Sequence, residues 1–231
     1  KGEPRDRVDR VEHLVRGVET KNAIVMHVLL INGSPHEKGC TYTALSLVAG
    51  ELNAAGITTE ILNVGTKPVG GCIGCGGCAK GNGCVFGGVV NEAIEKARTA
   101  DAFVFGTPVH YASASGNMTS FLDRLAYAGG KYLAYKPAAI CASARRAGTT
   151  SALDQLVKYP EFFHMPLVSG SYWPMVHGSN PEQVLQDEEG CAVMKELGRN
   201  MAWLLQCIEA GKAAGIPHPE NPRRPMTNFI R

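Results

Sequence analysis

The chain has 231 residues, 45% of them hydrophobic and 19% charged, which fits one globular domain with a sizeable core and does not require a second. A formal net charge of +2 is too small to argue for a nucleic-acid or anionic-membrane partner. No apolar run approaches the roughly 20 residues needed to span a bilayer, so a soluble, cytoplasmic protein is expected.

Residues 1–25 interleave Arg and Lys with Asp and Glu and carry only Val8, Val11, Val15 and Val18 at helical spacing. They read either as one amphipathic helix or as a leader ahead of a domain that begins at Met26. From Met26 onward, strand and helix patterns alternate. His27 to Ile31 is a short apolar run suited to a buried parallel strand, and Thr41 to Ala54 places Leu45, Val48 and Leu52 on one helical face before Gly56 ends it. Ile57 to Asn63 reads as a second strand, Val89 to Arg98 as a helix and Ala102 to Phe105 as a third strand. A helix over Met118 to Leu125 buries Met118, Phe121, Leu122 and Leu125, and Ala138 to Cys141 supplies a fourth strand. Ser151 to Val157 follows as a helix, and Met165 to Ser169 as the fifth strand. The chain closes on a long helix, Glu188 to Ala210, with Val193, Leu197, Met201, Leu204 and Ile208 at three-to-four spacing. Cys191, Trp203 and Cys207 read as packing residues there.

Strands alternating with crossover helices predict an α/β fold, a doubly wound, five-stranded parallel sheet with helices on both faces. The domain is expected to span residues 26–211, with a C-terminal arm over 212–231. Ligands in such folds sit beyond the carboxyl ends of the strands, so the loops that follow strands carry the function.

The first such loop, Asn32 to Tyr42, runs into a helix that starts with hydroxyl residues. Backbone N–H groups, Ser34 and Thr41 can converge there on an anion at the positive helix end. The loop has neither the G-x-x-x-x-G-K-[ST] order of a triphosphate loop nor the G-x-G-x-x-G order of a dinucleotide site, which points to a monophosphate such as that of FMN. The loop from Gly106 to Gly116, with His110 and Tyr111, can lay backbone amides along a flat heterocycle. The loop from Ser143 to Thr150 adds the guanidinium groups of Arg145 and Arg146 at the same rim. His164, Trp173 and His177 are candidates for a substrate wall or for packing.

The most specific stretch is Gly70 to Gly88, which holds Cys72, Cys75, Cys78 and Cys84 in a run with nine glycines among nineteen residues. Four thiols at C-x2-C-x2-C-x5-C can fold back to face one centre. Zinc sites usually join two C-x2-C knuckles from separated segments, and the compact run favours an iron–sulfur cluster. Zinc, a redox disulfide pair and a loop that binds nothing stay open as alternatives.

The segments GSPHEKGCTY, CIGCGGCAKGNGC, GTPVHYASASGNMTSFLDR and SARRAGTT together resemble the NADPH-dependent FMN reductase family, and in particular its iron–sulfur flavoprotein branch, from about Met26 to Gly211, which implies a flavodoxin-like form of the doubly wound sheet. The resemblance implies that Ser34, Pro35, Gly39, Cys40, Thr41 and Tyr42 hold the FMN phosphate. It implies that Pro108, Val109, His110, Tyr111 and Ala112 wrap the isoalloxazine ring, and that Ser143, Arg145, Arg146 and Gly148 line its other side. A [4Fe-4S] cluster on the four cysteines, NAD(P)H as reductant, a small acceptor or redox protein as oxidant, and a homodimer or homotetramer are implied with it. Two positions depart from the family: Gly87-Gly88 stand where acidic residues commonly follow the fourth cysteine, and His110 stands where Tyr is usual. The second departure puts an imidazole beside the ring, where it can donate to N5 or O4, and makes His110 a catalytic candidate with Arg145. A flavin/iron–sulfur electron carrier working between protein partners is the alternative reading.

Overall fold

The computed structural model describes residues 25–220 and 227–229. The helix or leader expected at the N-terminus and part of the expected C-terminal arm lie outside the described residues. Strands β1 (His27–Asn32), β2 (Thr58–Asn63), β3 (Ala102–His110), β5 (Ala138–Ala144) and β6 (Met175–His177) form a parallel sheet in the order β2-β1-β3-β5-β6. A two-residue strand, β4 (Ser113–Ala114), turns back antiparallel onto the end of β3. The helices are α1 (Cys40–Ala54), α2 (Val89–Thr99), α3 (Gly116–Gly129), α4 (Thr149–Phe162), the short α5 (Pro181–Val184) and α6 (Glu188–Ala213).

The two-residue period of the strands explains the layering. Val28 and Leu30 of β1, with Val104 of β3 and Cys141 of β5, face a core closed by Leu45, Val48 and Leu52 of α1 and Leu197 and Met201 of α6. Leu29 and Ile31, with Phe103 and Phe105, face the other way, onto Ile94 of α2, Phe121 and Leu125 of α3 and Leu153 of α4. Both faces are therefore covered, which is why the central strands are apolar on alternate residues in both directions. Phe103 is fully buried, and burial of one such side chain contributes about 1.5–3 kcal/mol. α1 and α6 approach closely at Gly198, where a Cβ would stand 2.7 Å from the Val48 carbonyl oxygen.

Two elements differ from the sequence reading. β3 runs on through the expected loop to His110, because β4 supplies it with a partner: Val109 pairs with Ala114 and His110 with Ser113. The fifth strand is Met175–His177, not Met165 to Ser169. Around the expected strand the chain makes a single bridge, Leu167 to Ala138, then leaves the sheet and returns only where Met175 meets Ala142. Among the described residues no helix is long and apolar enough to cross a membrane.

Candidate functional site

The register of the sheet sets Asn32 of β1 beside Gly106 of β3, Pro108 beside Ser143 of β5, and Ala144 beside His177 of β6. The three loops singled out in the sequence thus leave one end of the sheet together. Asn32 is fully buried and organises the first: its Nδ2 donates to Asn63 Oδ1 at 2.8 Å and to the Glu37 carbonyl at 3.3 Å, while its Oδ1 accepts from Ser34 N at 3.1 Å. Ser34 Oγ in turn accepts from His36 N at 3.1 Å. Gly33 N donates to the Gly106 carbonyl, and Ser115 Oγ donates to the Gly33 carbonyl at 2.8 Å, tying this loop to β3 and to the start of α3. Thr41 and Ser143, both buried, meet through their hydroxyls at 2.8 Å, which joins the first loop to the third.

The start of α1 differs from those of α3 and α6 and shares its uncapped glycine N-cap with α4, which begins on Gly148 in the third loop. Ser115 caps α3 and Asp187 caps α6, whose first turn also carries Glu188 and Glu189. α1 begins on Gly39 with no side-chain cap and no acidic residue in its first turn. Its leading N–H groups and the positive end of its dipole are left for an anion from outside the chain.

The second and third loops touch at the hairpin tip. Tyr111 and Ala112 have φ of 50° and 58°, the left-handed pair that closes a two-residue turn between β3 and β4. Gly148, with φ of 97°, lies against this turn so closely that a Cβ would stand 2.7 Å from Ala112 Cα. Ser113 Oγ and Ala114 N both donate to Gln155 Oε1, at 2.7 and 3.0 Å, fixing the hairpin on α4. His110, Tyr111, Arg145 and Arg146 are exposed around this rim, as is Pro35, while Gly39, Cys40, Tyr42, Pro108, Val109 and Gly148 are half-buried. Burial pushes the Cys40 thiol up from its ordinary value.

Of the candidates for a substrate wall, His177 stands at this end of the sheet, 3.5 Å from the Asp187 carboxylate. His164 does not: it stacks on Tyr135, which precedes β5, at the opposite end. Trp173 packs edge-on against Tyr172, and both line an apolar cavity of about 460 Å³ that takes none of its lining from the three loops, and a smaller pocket shared with His177.

The cysteine loop connects β2 to α2. Gly74, Gly76, Gly81, Gly83, Gly87 and Gly88 all have φ between 57° and 82°, so this path is open to glycine and strained for other residues. Cys72, Cys75, Cys78 and Cys84 line one cavity of about 220 Å³, together with Arg124 and Tyr127 of α3. Cys72 and Cys75 are exposed, Cys78 and Cys84 half-buried, and none is in a disulfide. Among the described residues, no three His, Cys, Asp or Glu side chains converge tightly enough to hold one metal ion. Asn91 of α2 clasps Cys84, accepting from its N–H at 2.8 Å and donating to its carbonyl at 3.0 Å. Arg124 donates to Cys84 Sγ at 3.2 Å.

Sequence reasoning missed Asn32, Asn91 and Arg124. Arg124 had a visible signal, a cation at the edge of the apolar stripe formed by Phe121, Leu122 and Leu125. The two asparagines had none, since their roles are set by chain segments that only the fold brings near.

The sequence model of the family described as NADPH-dependent FMN reductase matches residues 26–180. An iron-sulfur flavoprotein of Methanocaldococcus jannaschii is 26% identical over 192 residues, covering 80% of this chain and 100% of the relative. An iron-sulfur flavoprotein of Archaeoglobus fulgidus is 30% identical over 175 residues, covering 74% and 86%. Among solved structures, an NAD(P)H:quinone oxidoreductase from Methanothermobacter marburgensis superimposes with a TM-score of 0.60 at 17% identity, over 77% of this chain and 97% of that one. A flavodoxin from the domain Archaea gives 0.54 at 12% identity, over 78% and 99%, so the shared fold reaches well beyond close sequence relatives.

Proposed function

Since this chain belongs to the NADPH-dependent FMN reductase family, in its iron–sulfur flavoprotein branch, and is accordingly an FMN-dependent oxidoreductase, we propose that it draws electrons from NAD(P)H and passes them through FMN to a [4Fe-4S] cluster on Cys72, Cys75, Cys78 and Cys84 or to a small acceptor. FMN, when bound, accepts hydride from a nicotinamide and gives up electrons singly or in pairs. The uncapped start of α1, with the buried hydroxyl residues Ser34 and Thr41 beside it, is the observation that carries the flavin site.

In this reading the backbone N–H groups of Cys40, Thr41 and Tyr42 and the hydroxyls of Ser34 and Thr41 bind the phosphate, with Pro35 and Gly39 shaping the turn. Pro108 to Ala112 flank the ring on one side, and Ser143, Arg145, Arg146 and Gly148 on the other. Arg145 and Arg146 place positive charge where the ring gains negative charge, which stabilises the reduced form. His110 offers a ring N–H at the same rim. The protein's contribution is orientation and electrostatics, with the nicotinamide stacking from the solvent side.

Four thiols around one cavity are a donor set that suits iron. A tetrahedral zinc ion with Zn–S bonds of about 2.3 Å needs four sulfurs drawn close together. The four cysteines line one cavity of about 220 Å³, and their compact C-x2-C-x2-C-x5-C spacing within one loop supports a cluster over the two separated knuckles usual for zinc. The test is anaerobic purification with cofactor extraction, iron and sulfide assay and a steady-state assay. FMN near one per chain, about four iron and four sulfide, and NAD(P)H oxidation with a quinone or nitro acceptor are expected. FAD in its place, or one zinc per chain, overturns the corresponding half.

The electron-carrier reading is favoured by one feature. Ile73, Phe86 and Tyr127, at 70%, 56% and 75% exposure, form an apolar rim around the cysteine cavity that suits a protein surface. A carrier turns over NAD(P)H only when a partner reductase is added, so the same steady-state assay separates the two.

A further inference from the structure

Arg124 is a cation placed like a core residue. It is 7% exposed, and its guanidinium has three partners: Nε donates to Cys84 Sγ at 3.2 Å, Nη1 to the Gly70 carbonyl at 3.3 Å and Nη2 to the Gly87 carbonyl at 3.0 Å. Its Cζ lies 5.6 Å from the centroid of the Phe86 ring. None of the ion pairs among the described residues includes it. A buried guanidinium cannot relieve its charge by losing a proton, and carbonyl partners satisfy its N–H groups without neutralising it. Negative charge must therefore come from elsewhere, and the cavity that Arg124 lines with the four cysteines is where it can come from.

We infer that Arg124 is the built-in counter-cation of the four-cysteine site, holding an anionic thiolate-bound group in place and raising its reduction potential. This rests on the cluster reading above. A cubane with four thiolates is a dianion when oxidised and a trianion after it takes one electron. A fixed positive charge and an N–H···S bond at Cys84 both stabilise the trianion more than the dianion, so both move the potential upward, toward what a reduced flavin can reach. The guanidinium has a second effect through its fork, because Gly70 and Gly87 bracket the loop and both carbonyls close on it. Arg124 is thus a positioning residue, acting on the electron through the sulfur ligands.

Charge and fork can be separated. Arg124→Lys keeps the charge and loses the fork, and Arg124→Gln keeps donors and loses the charge. The experiment uses the full chain, purified without oxygen with FMN bound, assayed for iron and sulfide and then titrated with dithionite against mediator dyes while cluster absorbance is followed. At the potential where the parent cluster is half reduced, the ratio of reduced to oxidised cluster in Arg124→Gln is expected to fall at least tenfold, a shift of about 59 mV for a one-electron couple. Arg124→Lys is expected to shift less and to retain more iron than Arg124→Gln. Retention of iron by Arg124→Lys alone, with FMN kept in both, also supports the inference. Parental midpoint and iron content in Arg124→Gln overturn it, as does equal loss of iron from both variants with FMN retained, which makes Arg124 a staple of the loop and nothing more. A parent that takes up no iron or sulfide overturns the cluster reading and this inference together, and does so before any substitution is made.

Discussion

The loop after β1 and the loop after β2 both lead from a parallel strand into a helix whose N-cap is glycine, Gly39 in one and Gly88 in the other. They are held in opposite ways. The first is knitted to the sheet throughout its length, by Asn32, by Ser115 and by the Thr41–Ser143 contact. The second is gripped at its ends: Asn117 donates to the Gly65 and Lys67 carbonyls, Arg124 takes the Gly70 and Gly87 carbonyls, and Asn91 clasps Cys84. Between those grips the path is set by left-handed glycines and by tight turns such as Gly81 N to the Cys78 carbonyl. A ligand held by hydrogen bonds gains most from a site ordered in advance. A ligand that forms coordinate bonds to the chain can complete the ordering itself, because its binding energy is also local folding energy.

The sharpest way to break this comparison is Cys84→Ser. Most of the iron should be lost while FMN stays stoichiometric, as read by metal assay and flavin absorbance; loss of both would mean that the two loops are one cooperative unit. Next in size is a pair of glycine substitutions. A Cβ at Gly65 would stand 2.3 Å from the Ser34 carbonyl oxygen, and neither backbone can yield, so Gly65→Ala should cost about 3 kcal/mol in denaturant unfolding and weaken FMN binding. Gly74 has open space around a Cβ and only its φ of 64° against it, so Gly74→Ala should cost about 1 kcal/mol and leave FMN untouched. Equal effects at the two positions would erase the distinction between the gripped end of the second loop, which packs on the first loop at Ser34, and its free middle.

Thr41→Val should weaken FMN by about 1–3 kcal/mol, the value of a hydrogen bond to a charged group together with the contact to Ser143. Fluorescence titration of apoprotein checks it, and an unchanged affinity would move the phosphate off the start of α1. The smallest effect is a contrast among thiols. Burial pushes Cys141 up to about 12, so at pH 8 iodoacetamide should label Cys72 and Cys75 in metal-free protein and spare Cys141. The same shift has a stability consequence: the unfolded thiol ionises near 9.0 and the folded one near 12, so the unfolded chain binds fewer protons in that window and stability falls as pH rises through it.

Much of the fold was legible because buried parallel strands leave a strong local trace: HVLLIN and AFVFG are apolar on both faces. The loops that follow them were legible for a related reason, since Gly, Ser and Thr gather where backbone must approach a ligand. The fifth strand was misread because MPLVS looks like a strand by composition. The geometry allows it a single bridge at Leu167 before the chain swings out to pass Tyr172 and Trp173. The extension of β3 was missed because its partner is only two residues long. Arg124 was passed over for a different reason: pattern reading asks which residues are apolar, and a buried cation becomes meaningful only once its distance to a sulfur is known.

The broken outer strand has a consequence for how this protein behaves in a crowded solution. A long regular edge offers a row of free N–H and C=O groups on which another chain can grow. Here that edge is a three-residue strand and one isolated bridge, separated by an excursion tethered to α6 where Ser171 N and Oγ donate to Glu196 Oε2 at 2.9 and 2.6 Å. Pro166 and Pro174 stand next to the two pairing sites and accept from β5 through their carbonyls, yet have no N–H to offer outward. An incoming strand finds no continuous ladder to extend on this side, and the irregularity that hid the strand from sequence reading also guards this edge, the one opposite β2, against edge-to-edge aggregation.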